Sequence, residues 1–178
     1  MDLIEGIKGR RSVRKFQDKA VPHDVLQQVI DTAAYAPTWK NTQINRYVAI
    51  EGRDKVDYIA KEYAPFNLKT LSNTPLLIAQ TFVKNRSGFE RDGSYTTDRE
   101  DGWQMYDCGI GAQTLALAAH EAGLGTVIMG IFDRIGLQKY LEIPEDQELI
   151  ALIAVGYPDE EPVAPRRKLS DVILRYAD

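Results

Sequence analysis

The run Pro75-Leu-Leu-Ile-Ala-Gln-Thr-Phe-Val83 narrows the possible folds of this chain more than any other feature. It lacks the apolar–polar alternation of a strand with one wet face, so it is predicted to be a buried strand. The run from Leu149 to Tyr157 is the most strand-like in the chain, and Arg46–Ile50 and Thr126–Met129 are shorter strand candidates. Helical spacing appears between them. Leu3, Ile4 and Ile7 precede a glycine stop at Gly9. Val25, Leu26, Val29, Ile30, Ala33 and Ala34 mark a helix over 22–35 that ends before Pro37, because a proline drives the residue before it out of helical geometry. Val56, Ile59, Ala60 and Tyr63 mark another. Ile110, Gly111, Leu115, Ala118 and Ala119 mark a long, closely packed helix over 103–122 that Gly123 and Gly125 close, and 135–141 is a short one before Pro144. Helices and strands alternate irregularly, which predicts an α+β domain with a mixed sheet rather than a regular βαβ series. The length suits a single domain spanning 1–178. Residues 84–101 are polar and aperiodic, as expected of a functional lid or a locally disordered loop.

Charge and composition exclude several classes. A net charge of -4 argues against a nucleic-acid binder. Against it, two basic clusters stand out: Arg10, Arg11, Arg14 and Lys15, then Arg166, Arg167 and Lys168. The one cysteine, Cys108, precludes an intrachain disulfide and reads as packed rather than reactive. No apolar stretch nears the roughly 20 residues that span a bilayer, and the N-terminus does not read as a secretory signal, so no membrane association and a cytoplasmic location are expected.

Three motifs could carry chemistry. Arg10-Arg-Ser-Val-Arg14 places three guanidiniums and a hydroxyl within five residues, a set able to grip a phosphate through bidentate donors. The same cations could equally answer the dipole at a helix C-terminus. Ala36-Pro-Thr-Trp-Lys-Asn-Thr-Gln43 offers two amides and an aromatic between a helix and a strand. An amide presents donor and acceptor together, as a flavin or nucleobase edge requires, although Asn41 could also simply close a turn. The segment from Gly123 to Gly130 fails the dinucleotide fingerprint, since its glycines follow a helix and lack the G-x-G-x-x-G spacing. Gly130, at the far end of a strand, could mark close approach of a ligand to the backbone. His23 and His120 lie apart and read as surface or packing residues. No Walker loop, H-E-x-x-H or G-x-S-x-G is present. This poverty of protein-based catalytic groups is what a cofactor-driven reaction would leave.

Taken in order, these segments resemble the nitroreductase family of flavoproteins. The resemblance runs from Gly9-Arg-Arg-Ser-Val-Arg-Lys-Phe16 and Ala33-Ala-Tyr-Ala-Pro-Thr-Trp-Lys-Asn-Thr-Gln43 through Ala119-His-Glu-Ala-Gly-Leu-Gly-Thr126 and the Gly130 strand. Leu141-Glu-Ile-Pro-Glu145, Ile153-Ala-Val-Gly-Tyr-Pro158 and Pro165-Arg-Arg-Lys-Leu169 complete it. It implies a mixed, mainly antiparallel sheet flanked by helices, in an intertwined homodimer whose C-terminal extensions reach the partner and whose FMN lies between subunits. Arg10 and Ser12, helped by Arg11, would hold the phosphate, and Arg14 would sit by the N1 and C2 carbonyl side of the ring. Pro37, Thr38, Trp39 and Asn41 would come from the other subunit, with Asn41 facing the pyrimidine edge. Met129 and Gly130 would line the ring near N5, and Arg166 and Lys168 would return to the phosphate. The implied reaction is ping-pong hydride transfer from NADH or NADPH to a small planar electron-poor acceptor such as a nitroaromatic or quinone. Other uses of the scaffold are a flavin-binding, sensing or processing protein without nicotinamide turnover, a reductive dehalogenase and an enoate reductase. Met129 departs from larger members of the family, many of which carry an acid there, and in so short a chain their helical excursion over the pocket is expected to be either missing or replaced by residues 84–101.

Overall fold

A computed structural model describes residues 2–168 and 170–177. Four strands form one antiparallel sheet: β1 (Asn45–Glu51), β2 (Leu76–Val83), β3 (Gly125–Met129) and β4 (Gln147–Gly156), in the order β1-β2-β4-β3. Asn45 pairs with Phe82, Leu76 with Val155 and Gly125 with Gly156, and a bulge shifts the β2–β4 register between Gln80 and Thr81. One parallel bridge, Ser12 to Thr126, attaches the N-terminal arm outside β3 and gives the sheet its mixed character.

Helices cover both faces, which is why β2 and β4 carry apolar residues at successive positions. On one face Leu77, Ala79, Leu152, Ala154, Val127 and Met129 pack against α3 (Arg53–Glu62), α4 (Leu68–Leu71) and α6 (Arg134–Tyr140). On the other, Leu76, Ile78, Ile153 and Val155 meet α2 (His23–Ala33) and α5 (Gly102–Glu121) through Val29, Ala33, Leu115 and Ala119. α1 (Leu3–Gly9) precedes the arm and α7 (Ser170–Ile173) lies in the tail. α5 ends as its sequence predicts. Gly123 is left-handed at φ 76, its N–H donates to the His120 carbonyl, and Leu124 N–H donates to Ala119 O at 2.8 Å. That pair of bonds satisfies carbonyls the helix end would otherwise leave open.

The sequence signals miss the 3-10 turns Trp39–Asn41 and Pro65–Asn67 and the short helix α4. Residues 84–101 hold no helix or strand, but they are ordered by hydrogen bonds and one bridge, Phe89 to Tyr95, whose rings lie 4.9 Å apart. No helix among the described residues is long and apolar enough to cross a membrane. Leu169, the end of the last quoted motif, lies outside the described residues.

Candidate functional site

The arm of residues 10–16 is extended. Val13 and Phe16 are buried and anchor it, Val13 N–H donates to Thr126 O at 3.0 Å, and Gln17 N–H donates to Tyr157 O at 2.9 Å. Glu160 holds the other edge by accepting from Arg14 N–H at 2.5 Å and Lys15 N–H at 3.2 Å. With Val13 directed inward, Ser12 faces the other way. Arg10 and Ser12 then line a cavity of about 120 Å³ with Gln113, Ala116, Thr126, Val127 and Ile128.

The two readings of the arginine cluster divide between neighbouring residues. Arg11 Nη1 donates to the carbonyls of Lys8 at 2.6 Å and Arg10 at 2.9 Å, so it answers the end of α1. Arg10 does not: its Nε is buried without a hydrogen-bond partner among the described residues, a state that costs roughly 1–3 kcal/mol, and the residue itself lines the cavity. Arg14 is exposed, with Nη1 3.3 Å from Ser12 O.

The second motif is a compact loop. Thr38 Oγ1 accepts from Gln43 N–H at 2.9 Å, Asn41 N–H donates to Thr38 O, and Thr42 N–H donates to Trp39 O. Lys40, Asn41 and Gln43 are left-handed, at φ 45, 55 and 50. Asparagine tolerates that region better than most residues, so Asn41 does close a turn. It is also exposed, with Oδ1 accepting from Gln43 Nε2 at 3.1 Å and Nδ2 left to face outward. Pro37 is exposed, while Thr38 and Trp39 are half-buried. The Trp39 ring packs against Trp103, with centroids 4.5 Å apart and the planes tilted by 40°.

Met129 and Gly130 end β3 in different settings. The Met129 side chain is 5% exposed and lies in the layer with α3 and α6, so only its backbone can line a ligand on the Ser12 side. Ile128, on the Ser12 side, is 48% exposed and borders the Arg10 cavity. Strand parity puts the side chains of Ile128 and Met129 on opposite faces of the sheet. Gly130 has open space where a Cβ would be and no positive φ. Nothing among the described residues requires glycine there. Arg166 and Lys168 are exposed on the tail and make no hydrogen bond or ion pair with other described residues.

Within one chain the two halves of the expected site stay apart. None of residues 37–41 lines the Arg10 cavity. Thr38 borders a groove of about 640 Å³ between α2 and the edge strand β1, and Asn41 borders a polar hollow with Arg46, Arg86 and Asp146.

Behind the loop lies a buried polar cluster that the sequence reading missed. Asp107, on α5, is 2% exposed and accepts from Trp39 N–H at 3.1 and 2.9 Å and from Ser87 Oγ at 2.5 Å. Gln80 Nε2 donates to Asn45 Oδ1 at 3.0 Å and Cys108 O at 2.9 Å. Burial, with Asp107 and Glu148 adding repulsion, pushes the Cys108 thiol up to about 12. Burial likewise pushes Tyr47 up to about 12, and its hydroxyl has no partner. Cys108 is therefore packed and protonated, as its setting in the sequence suggested.

Residues 7–157 match the model of the Nitroreductase family. A provisionally named NADH dehydrogenase/NAD(P)H nitroreductase of Methanothermobacter thermautotrophicus is 31% identical over 166 residues, covering 91% of this chain and 80% of that protein. An iodotyrosine deiodinase of Haliscomenobacter hydrossis is 28% identical over 185 residues, covering 91% of this chain and 82% of that one. A provisionally assigned nitroreductase of Desulfovibrio desulfuricans, solved in complex with FMN, superposes with a TM-score of 0.80 at 23% identity, over 100% of this chain and 98% of the other.

Proposed function

Because the chain belongs to the nitroreductase family, we propose that it is an FMN-dependent oxidoreductase that passes electrons from NADH or NADPH to small planar electron-poor acceptors in a two-stage, ping-pong cycle. The observation that carries this reading is one cavity lined by Ser12 and by Arg10, whose Nε has no hydrogen-bond partner among the described residues, a donor set suited to a phosphate. FMN, when bound, supplies the two-electron chemistry for which the chain has no side chain of its own.

The residues fit that group. Arg10 and Ser12 would hold the phosphate, with Arg11 fixing the end of α1 beside them. Arg14, exposed at the rim, would face the electron-rich side of the ring and favour its reduced, anionic form. The open space over Gly130 would admit the ring edge, with Ile128 and the Met129 backbone beside it. Pro37, Thr38, Trp39 and Asn41 would reach the same flavin from a second copy, and Arg166 and Lys168 would close on the phosphate from a tail. A homodimer accounts for several exposed features together. α1 exposes Leu3, Ile4 and Ile7, the outer side of α5 exposes Met105 and Tyr106, the tail exposes Val172, Ile173, Leu174 and Tyr176, and β1 is an edge strand flanked by a groove. Such edges are usually covered in native proteins.

An absorption spectrum after FMN addition and desalting tests the reading, repeated anaerobically with NADH and then NADPH. Flavin bands that stay with the protein and bleach with a nicotinamide are expected. Retained flavin that never bleaches would overturn nicotinamide turnover and leave flavin storage or sensing. A folded protein that retains no flavin would overturn the whole proposal. The similarity to the iodotyrosine deiodinase of Haliscomenobacter hydrossis favours reductive dehalogenation as a second reading. Release of halide from halotyrosines by the reduced protein would select it.

A further inference from the structure

We propose that Asp107 is a positioning residue for the flavin site, clamping both ends of the turn that presents Asn41. The inference rests on the reading that this turn faces the flavin.

Asp107 is a buried carboxylate with no cation within ion-pair distance among the described residues. Burying such a charge is costly unless strong donors satisfy it, and both of its donors lead to the turn. Trp39 N–H reaches both carboxylate oxygens. Ser87, itself fully buried, donates its hydroxyl to Oδ2, which leaves its oxygen to accept from the Thr42 hydroxyl at 2.6 Å. The chain Thr42→Ser87→Asp107 therefore runs in one direction, and polar bonds arranged in series reinforce one another. Trp39 and Thr42 bracket Lys40 and Asn41, two of the left-handed residues. Side chains in that region persist only where surrounding structure over-determines them, and here the determinant is one carboxylate gripping the turn before and after them. A carboxylate makes these bonds charge-assisted. An asparagine would have to turn its NH2 to the Ser87 oxygen, reverse the Ser87–Thr42 link and hold Trp39 N–H through a neutral oxygen.

Asp107 also fixes residues 84–101, through Ser87, to the same point, and Lys40 Nζ meets Glu90 at 2.8 Å across that junction. Gln104, one turn earlier on α5, provides the control. Its buried Oε1 accepts from Asn85 N–H at 2.7 Å, so it anchors the same segment without touching the turn.

The test compares Asp107→Asn, Ser87→Ala and Gln104→Met by FMN titration of the apo-protein, urea unfolding and hydrogen exchange over residues 39–43. Asp107→Asn is expected to raise the FMN Kd about tenfold or more and to speed exchange at Trp39. Ser87→Ala, which opens one arm of the clamp, should raise Kd by about threefold. Gln104→Met should lower stability with the Kd kept within about twofold. Should Asp107→Asn fail to fold, Ser87→Ala against Gln104→Met decides the matter alone. The proposal is overturned if the folded Asp107 or Ser87 variants bind FMN as wild type does, or if Gln104→Met weakens binding equally for the same lost stability. Wild-type protein that binds no FMN would instead strike the flavin reading, and the clamp's role with it.

Discussion

Adjacent arginines take opposite parts in this chain. Arg11 is committed to two carbonyls at the end of α1, while Arg10 lines the cavity and its buried Nε has no hydrogen-bond partner among the described residues. Replacing Arg10 with alanine is expected to weaken FMN binding by about ten- to a hundredfold, the loss of ~1.5–3 kcal/mol from a charge-assisted bond, with little change in the urea midpoint. Arg11→Ala should do the reverse and cost up to ~1 kcal/mol of stability at the helix end. Fluorescence titration beside urea melts separates the two, and equal losses of affinity would sink the division of roles. The cluster was legible in the sequence as a phosphate grip or a dipole response. Its partition was not, because the direction of each guanidinium depends on how the arm after α1 lies against β3. Met129 shows the same limit. Period-two alternation says that Ile128 and Met129 face opposite ways, but only the packed layers decide which of them meets the cavity.

At the scale of elements, the arm depends on one close approach. A Cβ at Gly125 would lie 2.6 Å from Val13 Cγ2, so glycine there lets Val13 seat and the Ser12–Thr126 bridge form. Gly125→Ala should push the arm outward, costing ~1–3 kcal/mol from overpacking and weakening FMN binding because Arg10 and Ser12 ride on the arm. Unchanged stability and affinity would show that the arm shifts freely. The sequence reading explained Gly125 as part of a helix stop, a role that Gly123 alone fulfils. Contact between residues 13 and 125 leaves no local trace. Strands and longer helices were legible because burial imprints apolar runs and 3.6-residue spacing over many positions. The turns at 65–71 are too short to repeat a period, and residues 10–16 join β3 by a single bridge with little alternation.

The whole molecule has two expected consequences. The first concerns assembly: light scattering should report a dimer, and deleting residues 161–178 should weaken FMN retention and dimerisation. A truncated protein that stays dimeric and yellow would remove the tail from the site. The second concerns alkali. Cys108 and Tyr47 have folded pKa values raised to about 12 from ordinary values of 9.0 and 10.0. The folded state holds these protons more tightly than the unfolded chain, so their contribution is complete below about pH 9. It is lost as pH climbs towards about 12, where burial resists an ionisation that unfolding permits. Urea midpoints that stay flat between pH 9 and 11 would contradict that burial. The α+β class was legible from the irregular alternation of helices and strands. The placing of residues 37–41 and the Arg10 cavity apart within one chain was implied only by the family resemblance, since a sequence lists residues in one chain and does not say which copy answers which.

The tilted contact of Trp39 with Trp103 has a further consequence. They are the protein's two tryptophans, with ring centroids 4.5 Å apart, one in the turn that carries Asn41 and the other at the start of α5. Two indoles that close couple their electronic transitions, so the far-ultraviolet circular dichroism should carry a paired positive and negative band from this one junction. The molecule thus has a native optical gauge. Its amplitude follows the seating of the turn without any label, and fades when the turn lifts even while the rest of the fold stays intact.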